Sequence, residues 1–273
     1  MRYERFAPGP EIADYLEHFW IIEADLGSSR REEILVPNGR PTLLVNLGDT
    51  GWRKDPQSGD TQPNCSGLTG IGTRPVIIGQ TGKVQLIAAQ LAPFGPPAFN
   101  LPSAIDQHLA LNATFDALSQ ECQRLGACEA AVRHLEQAMV ARLSPYPTEK
   151  LRGLAQTYVL LDSDQPADIQ VWAKTAGMSY DQFYRLFKSF VGISPKTALM
   201  IARYQAHIGS LLAGERGGGL AQLALLQGYF DQAHANRDFR RFTGISPRKF
   251  RQTLNGIAKM MHQPPQSPDL SKN

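Results

Sequence analysis

The sequence repeats itself near its C-terminal end. Arg185-Leu-Phe-Lys-Ser-Phe-Val-Gly-Ile-Ser-Pro-Lys196 and Arg237-Asp-Phe-Arg-Arg-Phe-Thr-Gly-Ile-Ser-Pro-Arg248 align at an offset of 52 residues. Arg185 falls on Arg237, Phe187 on Phe239, Lys188 on Arg240, Phe190 on Phe242, and Gly192 through Pro195 on Gly244 through Pro247. Such a duplication requires one small unit to form twice in the same chain. In the first copy Ile169, Trp172, Ala173 and Ala176 recur at helical spacing and Gly177 ends the run. Ser179 is placed to cap a second helix whose buried face holds Phe183, Leu186, Phe187 and Phe190, with Gly192 as its stop. The second copy repeats the pattern with Leu220, Leu223 and Ala224, a stop at Gly228, a cap at Asp231, and Ala235, Phe239 and Phe242 facing inward. Ser194-Pro195 and Ser246-Pro247 each start a further helix, proline standing where no N–H is needed. Lys196–Ala213 reads as one continuous helix joining the two units.

Helix, short turn, helix is the unit that sets its second helix in a DNA major groove. The groove-facing side would carry Tyr180, Asp181, Tyr184, Arg185 and Lys188 in the first copy. In the second it would carry Gln232, Ala233, Asn236, Arg237 and Arg240. Arginine can bond a guanine edge with two N–H groups, and asparagine or glutamine an adenine edge. The competing reading is two amphipathic hairpins whose polar faces are simply solvated. Two copies with cationic faces favour DNA, and so does the charge distribution. Residues 150–259 hold 15 Lys or Arg against 7 Asp or Glu, while the rest of the chain is net acidic. A basic end on an acidic body fits binding of a phosphate backbone by that end alone.

The stretch Gly228-Tyr-Phe-Asp-Gln-Ala-His-Ala-Asn-Arg-Asp-Phe-Arg-Arg-Phe-Thr-Gly-Ile-Ser-Pro-Arg-Lys-Phe-Arg251 resembles the signature of the AraC/XylS family of transcription regulators. The resemblance covers about residues 150–255. Ala235 and Gln227 depart from it, standing where the family has a large apolar and an aliphatic residue. The resemblance implies a DNA-binding domain at 148–259 with two helix-turn-helix units, double-stranded DNA as partner, and RNA polymerase as a second partner if the protein is an activator.

The N-terminal half reads differently. Phe19-Trp20-Ile21-Ile22, Leu35-Val36-Pro37, Thr42–Leu47, Pro75–Gln80 and Val84–Leu91 read as strands, with turns at Asn38-Gly39 and Thr81-Gly82. The opening residues around Pro8-Gly9-Pro10 and the polar stretch 48–66 read as loops. This predicts a small β-barrel or sandwich over residues 1–104. Phe115, Leu118, Cys122 and Leu125, then Val132, Leu135, Met139 and Leu143, mark two helices in segment 105–145. These helices either pack on their own β domain or pair two subunits in a homodimer. Ser144-Pro-Tyr-Pro147 reads as a stiff linker and residues 262–273 as a disordered tail. The fold class is therefore α+β multidomain, with an all-α C-terminal domain.

Leu35–Gly48 and Val84–Pro102 resemble, more weakly, a degenerate cupin-like sensor domain, which implies a small organic effector or dimerisation. Trp20, Arg40, Asn46 and Arg74 lie in or beside strands where they could line an effector pocket. A metal cupin needs clustered histidines, but His18, His108, His134, His207, His234 and His262 are scattered and only His18 lies near the predicted strands. No metal and no cofactor is expected. No phosphate loop, nucleophile elbow or paired catalytic carboxylate stands out, so the protein reads as a regulator and not an enzyme. A regulator fused to a small-molecule-modifying sensor is the alternative, and titrating groups gathered in one pocket would favour it. Cys65, Cys122 and Cys128 are an odd count without a CxxC pair, which predicts structural thiols. No apolar run is long enough for a membrane, and Met1-Arg-Tyr-Glu-Arg-Phe6 has no apolar signal segment, so a cytoplasmic location is expected.

Overall fold

The computed structural model describes residues 1–110, 113–144, 149–161, 168–213, 232–246 and 250. The first 110 residues form strands β1 (Arg2–Phe6), β2 (Leu16–Asp25), β3 (Arg31–Leu35), β4 (Thr42–Asn46), β5 (Gly51–Lys54), β6 (Thr61–Asn64), β7 (Gly67–Thr69), β8 (Val76–Gln80), β9 (Lys83–Leu91) and β10 (His108–Ala110). They make two open sheets, one of six strands in the order β1-β2-β9-β4-β7-β10 and one of four in the order β3-β8-β5-β6. The named strand pairs are antiparallel.

The long central strands β2 and β9 are apolar on both faces, as strands covered on both sides must be. Phe19, Ile21, Leu43, Val45, Ile87 and Ala89 face the main core. Trp20, Ile22, Leu44, Val84, Leu86 and Ala88 face the other way and form a smaller core of their own. Helices α2 (Ala113–Leu125) and α3 (Glu129–Arg142) pack on the first of these faces, burying Phe115, Leu118, Val132, Leu135 and Met139. A short helix, α1 (Gly95–Ala98), precedes them, and Phe94 and Phe99 beside it meet Tyr15 edge-on at 6.4 Å.

Several strand expectations need correction. Residues 2–6 are an edge strand, not a loop, paired from Arg2↔Glu23 to Phe6↔Phe19. The polar stretch 48–66 contains β5 and β6, a hairpin with Gly51↔Asn64 and Lys54↔Thr61. Its Gly, Asp, Pro and Ser content reads as loop, yet its two strands close one side of the four-stranded sheet, and β6 is the sheet edge, where polar side chains are no obstacle. The turns at Asn38-Gly39 and Thr81-Gly82 do not close hairpins. β3 and β4 lie in different sheets, as do β8 and β9, so each turn carries the chain from one sheet to the other. Residues 108–110 form a strand within the segment expected to be helical.

The C-terminal part is helical: α4 (Glu149–Leu161), α5 (Ile169–Thr175), α6 (Tyr180–Val191), α7 (Pro195–Ala213) and α8 (Gln232–Thr243). α4 packs on α5 and α7, α5 on α6, and α7 on α8. One connected apolar cluster runs from Leu16 and Phe19 through Leu135 and Met139 to Trp172, Leu199 and Phe239, so the β-rich and helical parts share a core. Polar contacts also cross between them. Ser103 Oγ donates to the Phe190 carbonyl at 2.6 Å, and Gln205 Nε2 donates to the Pro37 carbonyl. The linker residues 145–148, Gly217-Gly218-Gly219, Leu220, Leu223, Ala224, Gly228, Asp231, Pro247 and the tail 262–273 lie outside the described residues. Cys65, Cys122 and Cys128 are free thiols, Cys122 buried and the other two half-buried. No described helix is long and apolar enough to cross a membrane.

Candidate nucleic-acid interface and the cavity between the sheets

α6 begins where the sequence places it. Ser179 caps it, its Oγ accepting from Gln182 N, while Gln182 Oε1 accepts from Ser179 N in return. This reciprocal box satisfies two N–H groups that a helix start would leave open. At the other end Gly192, at φ +86°, lets its N–H reach Lys188 O, a left-handed conformation that a side chain would oppose. Any Cβ there would also lie 2.9 Å from Ile105 Cδ1 of the β-rich part. Phe183, Phe187 and Val191 are buried, and Trp172 of α5 stacks on Phe187 at 6.2 Å and meets Phe183 at 6.5 Å. Leu186 and Phe190, expected on the buried face, are half-buried against the same core.

α8 reproduces α6. Both have 12 residues, and their ends coincide at the offset of the sequence repeat. Gly244, at φ +73°, donates to Arg240 O as Gly192 does to Lys188 O. Phe239 and Phe242 are buried against Tyr204 of α7, at 5.5 and 5.0 Å between rings. Ala235, where the family has a larger residue, is fully enclosed.

The outward faces match as well. On α6 Tyr180, Asp181, Arg185 and Lys188 are exposed and Tyr184 is half-buried, 6.0 Å from the Tyr180 ring. On α8 Ala233, Arg237 and Arg240 are exposed and Asn236 is half-buried. Gln232 opens α8, but its side chain and that of His234 lie outside the described residues. Arg185 Nε bonds Asp181 O at 3.3 Å, and Arg237 Nε bonds Ala233 O at 3.4 Å. Each arginine is thus anchored to its own helix one turn back. Arg241, one turn after Arg237, is exposed on this side and was missed by the sequence reading. Its spacing of four from Arg237 is the signal that could have found it.

A second feature lies between the two sheets. A cavity of about 620 Å³ is lined by Tyr3, His18, Gln90 and Thr69 from one sheet, and by Arg53, Gln62 and Val76 from the other. Arg40 and Arg74, candidates from sequence, line it. Trp20 and Asn46 do not: Trp20 belongs to the small apolar core, and Asn46 bonds the Asn64 carbonyl at 3.1 Å. His108 and Arg53 were missed because their strands were not foreseen. So the sheets bring two histidines to one cavity, not His18 alone. Among the described residues, no group of three or more His, Cys, Asp or Glu could hold a metal ion. Arg40 pairs with Glu17 at 2.5 Å, and Arg74 lies 3.5 Å from Asp55 and 3.6 Å from Asp106.

His108 Nε2 is 2.9 Å from the Cys65 carbonyl and Nδ1 is 2.9 Å from Thr69 Oγ1. The carbonyl can only accept, so Nε2 carries the proton and Nδ1 accepts from threonine. Burial, with the Arg53 charge second, pushes His108 down to about 4. Burial, with Arg5 and Arg40 behind it, does the same to His18. Unfolded, each imidazole takes up a proton near pH 6.5; folded, neither does so until about pH 4. Stability is therefore complete above pH 6.5 and falls as pH drops through this window. After allowance for partial solvent screening, the loss is on the order of 2 kcal/mol per histidine by pH 4. Thermal melts between pH 7.5 and 4 should show it. A double His18→Gln, His108→Gln variant should have a flatter profile, and an equally steep one would mean other groups cause the loss.

Comparison with known proteins agrees with the geometry. Residues 172–253 match a helix-turn-helix domain family, and residues 4–106 match a domain of unknown function, DUF6597. A probable transcriptional regulator, LumQ of Photobacterium leiognathi, is 26% identical over 166 residues, covering 58% of this chain. The match takes in 63% of that relative, less than two thirds of its length. Among solved structures, ToxT of Vibrio cholerae O395 aligns over 88% of this chain and 99% of its own at 11% identity and a TM-score of 0.48. An AraC-type DNA-binding domain protein from Chromobacterium violaceum aligns over 42% of this chain and 96% of its own, at 20% identity and a TM-score of 0.33. Residues 172–253 thus carry a helix-turn-helix domain, preceded by a DUF6597 domain at residues 4–106, in a chain similar to a probable transcriptional regulator.

Proposed function

We propose that the chain reads two successive major grooves of duplex DNA, α6 in one and α8 in the next, under control of a small effector held in the N-terminal domain. The equivalence of α6 and α8 carries this reading: one length, one glycine stop in the left-handed conformation, and one exposed arginine each, anchored a turn back. The 19 residues of α7 give a spacer of about 28 Å, close to the roughly 34 Å between groove entries on one DNA face. One chain then supplies both recognition helices, and a homodimer is not needed to complete a site. Arg185 serves the first groove; Gln232, Asn236 and Arg237 serve the second. Tyr180, Asp181, Tyr184 and Ala233 flank them, while Lys188 and Arg240 hold phosphates. As an activator, the bound protein would also meet RNA polymerase.

The two facing sheets act, in this reading, as the degenerate cupin-like sensor, working in the cytoplasm. The cavity does gather titratable groups, the condition for a catalytic sensor. Yet both ring nitrogens of His108 are engaged and Glu17 is paired with Arg40, an arrangement that favours holding a ligand over moving a proton.

Hydroxyl-radical footprinting of the full chain on a site selected from random duplexes tests the reading. Protection of about two successive turns on one face is expected, weakening steeply with salt as counterions compete. Protection of one groove, or no duplex binding at low salt, would overturn it.

A further inference from the structure

The four arginines of the cavity are not alike. Arg40 has Glu17, and Arg74 has Asp55 and Asp106. Arg53 is only 8% exposed, yet no carboxylate lies within ion-pair distance of it among the described residues. Among the described residues its one side-chain partner is Asn64, whose Oδ1 accepts from Nη1 at 3.1 Å. The strand places it there. β5 alternates, so Trp52 and Lys54 turn to the outer side while Arg53 faces the interior between the sheets. Burial weakens its hold on the proton, down to about 10, but it remains a cation at neutral pH. An arginine buried without a counter-charge costs stability, and a fold retains it where something else supplies the negative charge.

What would supply it must fit the rest of the cavity. A volume of about 620 Å³ is far larger than an inorganic anion and lies within the range of small-molecule sites. Beside the carboxylates of Glu17, Asp55, Asp60 and Asp106, the lining holds Gln62, Gln90, Thr69 and Gln107, uncharged groups that both donate and accept hydrogen bonds. Gln205 of α7 reaches the same cavity while bonding the Pro37 carbonyl, so one wall belongs to the helix that spaces the two recognition helices.

We propose that this cavity takes a compact, polar organic anion, its carboxylate or phosphate on Arg53 and its hydroxyl or amide groups on the glutamines, and that Gln205 passes its presence to α7. A guanidinium can give a carboxylate or a phosphate two parallel N–H···O bonds. This rests on the reading of the N-terminal domain as an effector site and names the class of effector.

The test is thermal shift of the full chain against gluconate, malate, citrate, glucose 6-phosphate and 4-hydroxybenzoate, each beside its amide or its unphosphorylated form. At least one acid should raise Tm by about 5 °C near saturation, its neutral counterpart by none. Arg53→Gln keeps a donor for Asn64 but removes the charge. It should lose the ligand shift while its own unliganded Tm stays level or rises. Gln205→Ala should keep the ligand shift and lose the ligand-dependent change in DNA affinity. An unliganded Arg53→Gln protein that melts well below the parent would make Arg53 structural and overturn the proposal. A neutral compound that stabilises the chain and changes DNA affinity would overturn the anion and leave the effector site standing. Failure of acids and neutral forms alike would overturn both.

Discussion

Alanine at both Arg185 and Arg237 is expected to weaken binding to the selected site by about 2–6 kcal/mol, since one arginine bonded to a base edge contributes about 1–3 kcal/mol. The two side chains sit on different helices and each is anchored to its own carbonyl, so their losses should add. Each single variant should relax sequence preference at its own end of the site. Lys188→Ala and Arg240→Ala should behave otherwise, weakening all sequences alike and lowering the slope of log affinity against log salt by about one each. Fluorescence anisotropy against the selected site and a scrambled duplex separates the two behaviours. If Arg185→Ala leaves both affinity and preference unchanged, α6 is a structural support and α8 alone reads DNA.

Trp172→Ala should cost about 3–5 kcal/mol of stability, as large aromatic truncations in a packed core do. Its side chain is fully buried, stacked on Phe187 at an interplanar angle of 25° and set edge-on to Phe183. It is the contact through which α5 fixes the tilt of α6, so DNA binding should fall with stability. Trp172→Phe gives a sharp contrast. The indole Nε1 is buried with no hydrogen-bond partner among the described residues. Phenylalanine removes that unsatisfied N–H while keeping most of the ring, and should cost far less than alanine. Urea unfolding of the three proteins checks both, and a Trp172→Ala variant within 1 kcal/mol of the parent would mean α6 is held elsewhere.

The helical end was legible because its signals are local and doubled. Ser179, Gly192 and the phenylalanine spacing fix α6 from within a dozen residues, and the repeat fixes α8 by analogy. The central strands were legible too, since β-branched and aromatic runs such as Phe19–Ile22 have few alternatives. Pairing was not legible. Whether the strand after Asn38-Gly39 folds back on its predecessor or crosses to another sheet depends on contacts with β9, more than 40 residues away. The cavity shared that fate. Arg53 is a buried residue only once β5 has joined β8, and as a sequence it is one more charge in a polar stretch. His108 likewise becomes a wall of the site only by pairing with Thr69.

The core that runs unbroken from the sheets into the helices limits how such a chain can diversify. Regulators are often imagined as two interchangeable parts, a sensor and a reader, shuffled between lineages. Here the seat of α6 on Ile105 and the Ser103 bond to Phe190 belong to both parts at once. A foreign β-rich domain would arrive with the wrong seam, so the residues on its two sides must be inherited as a set.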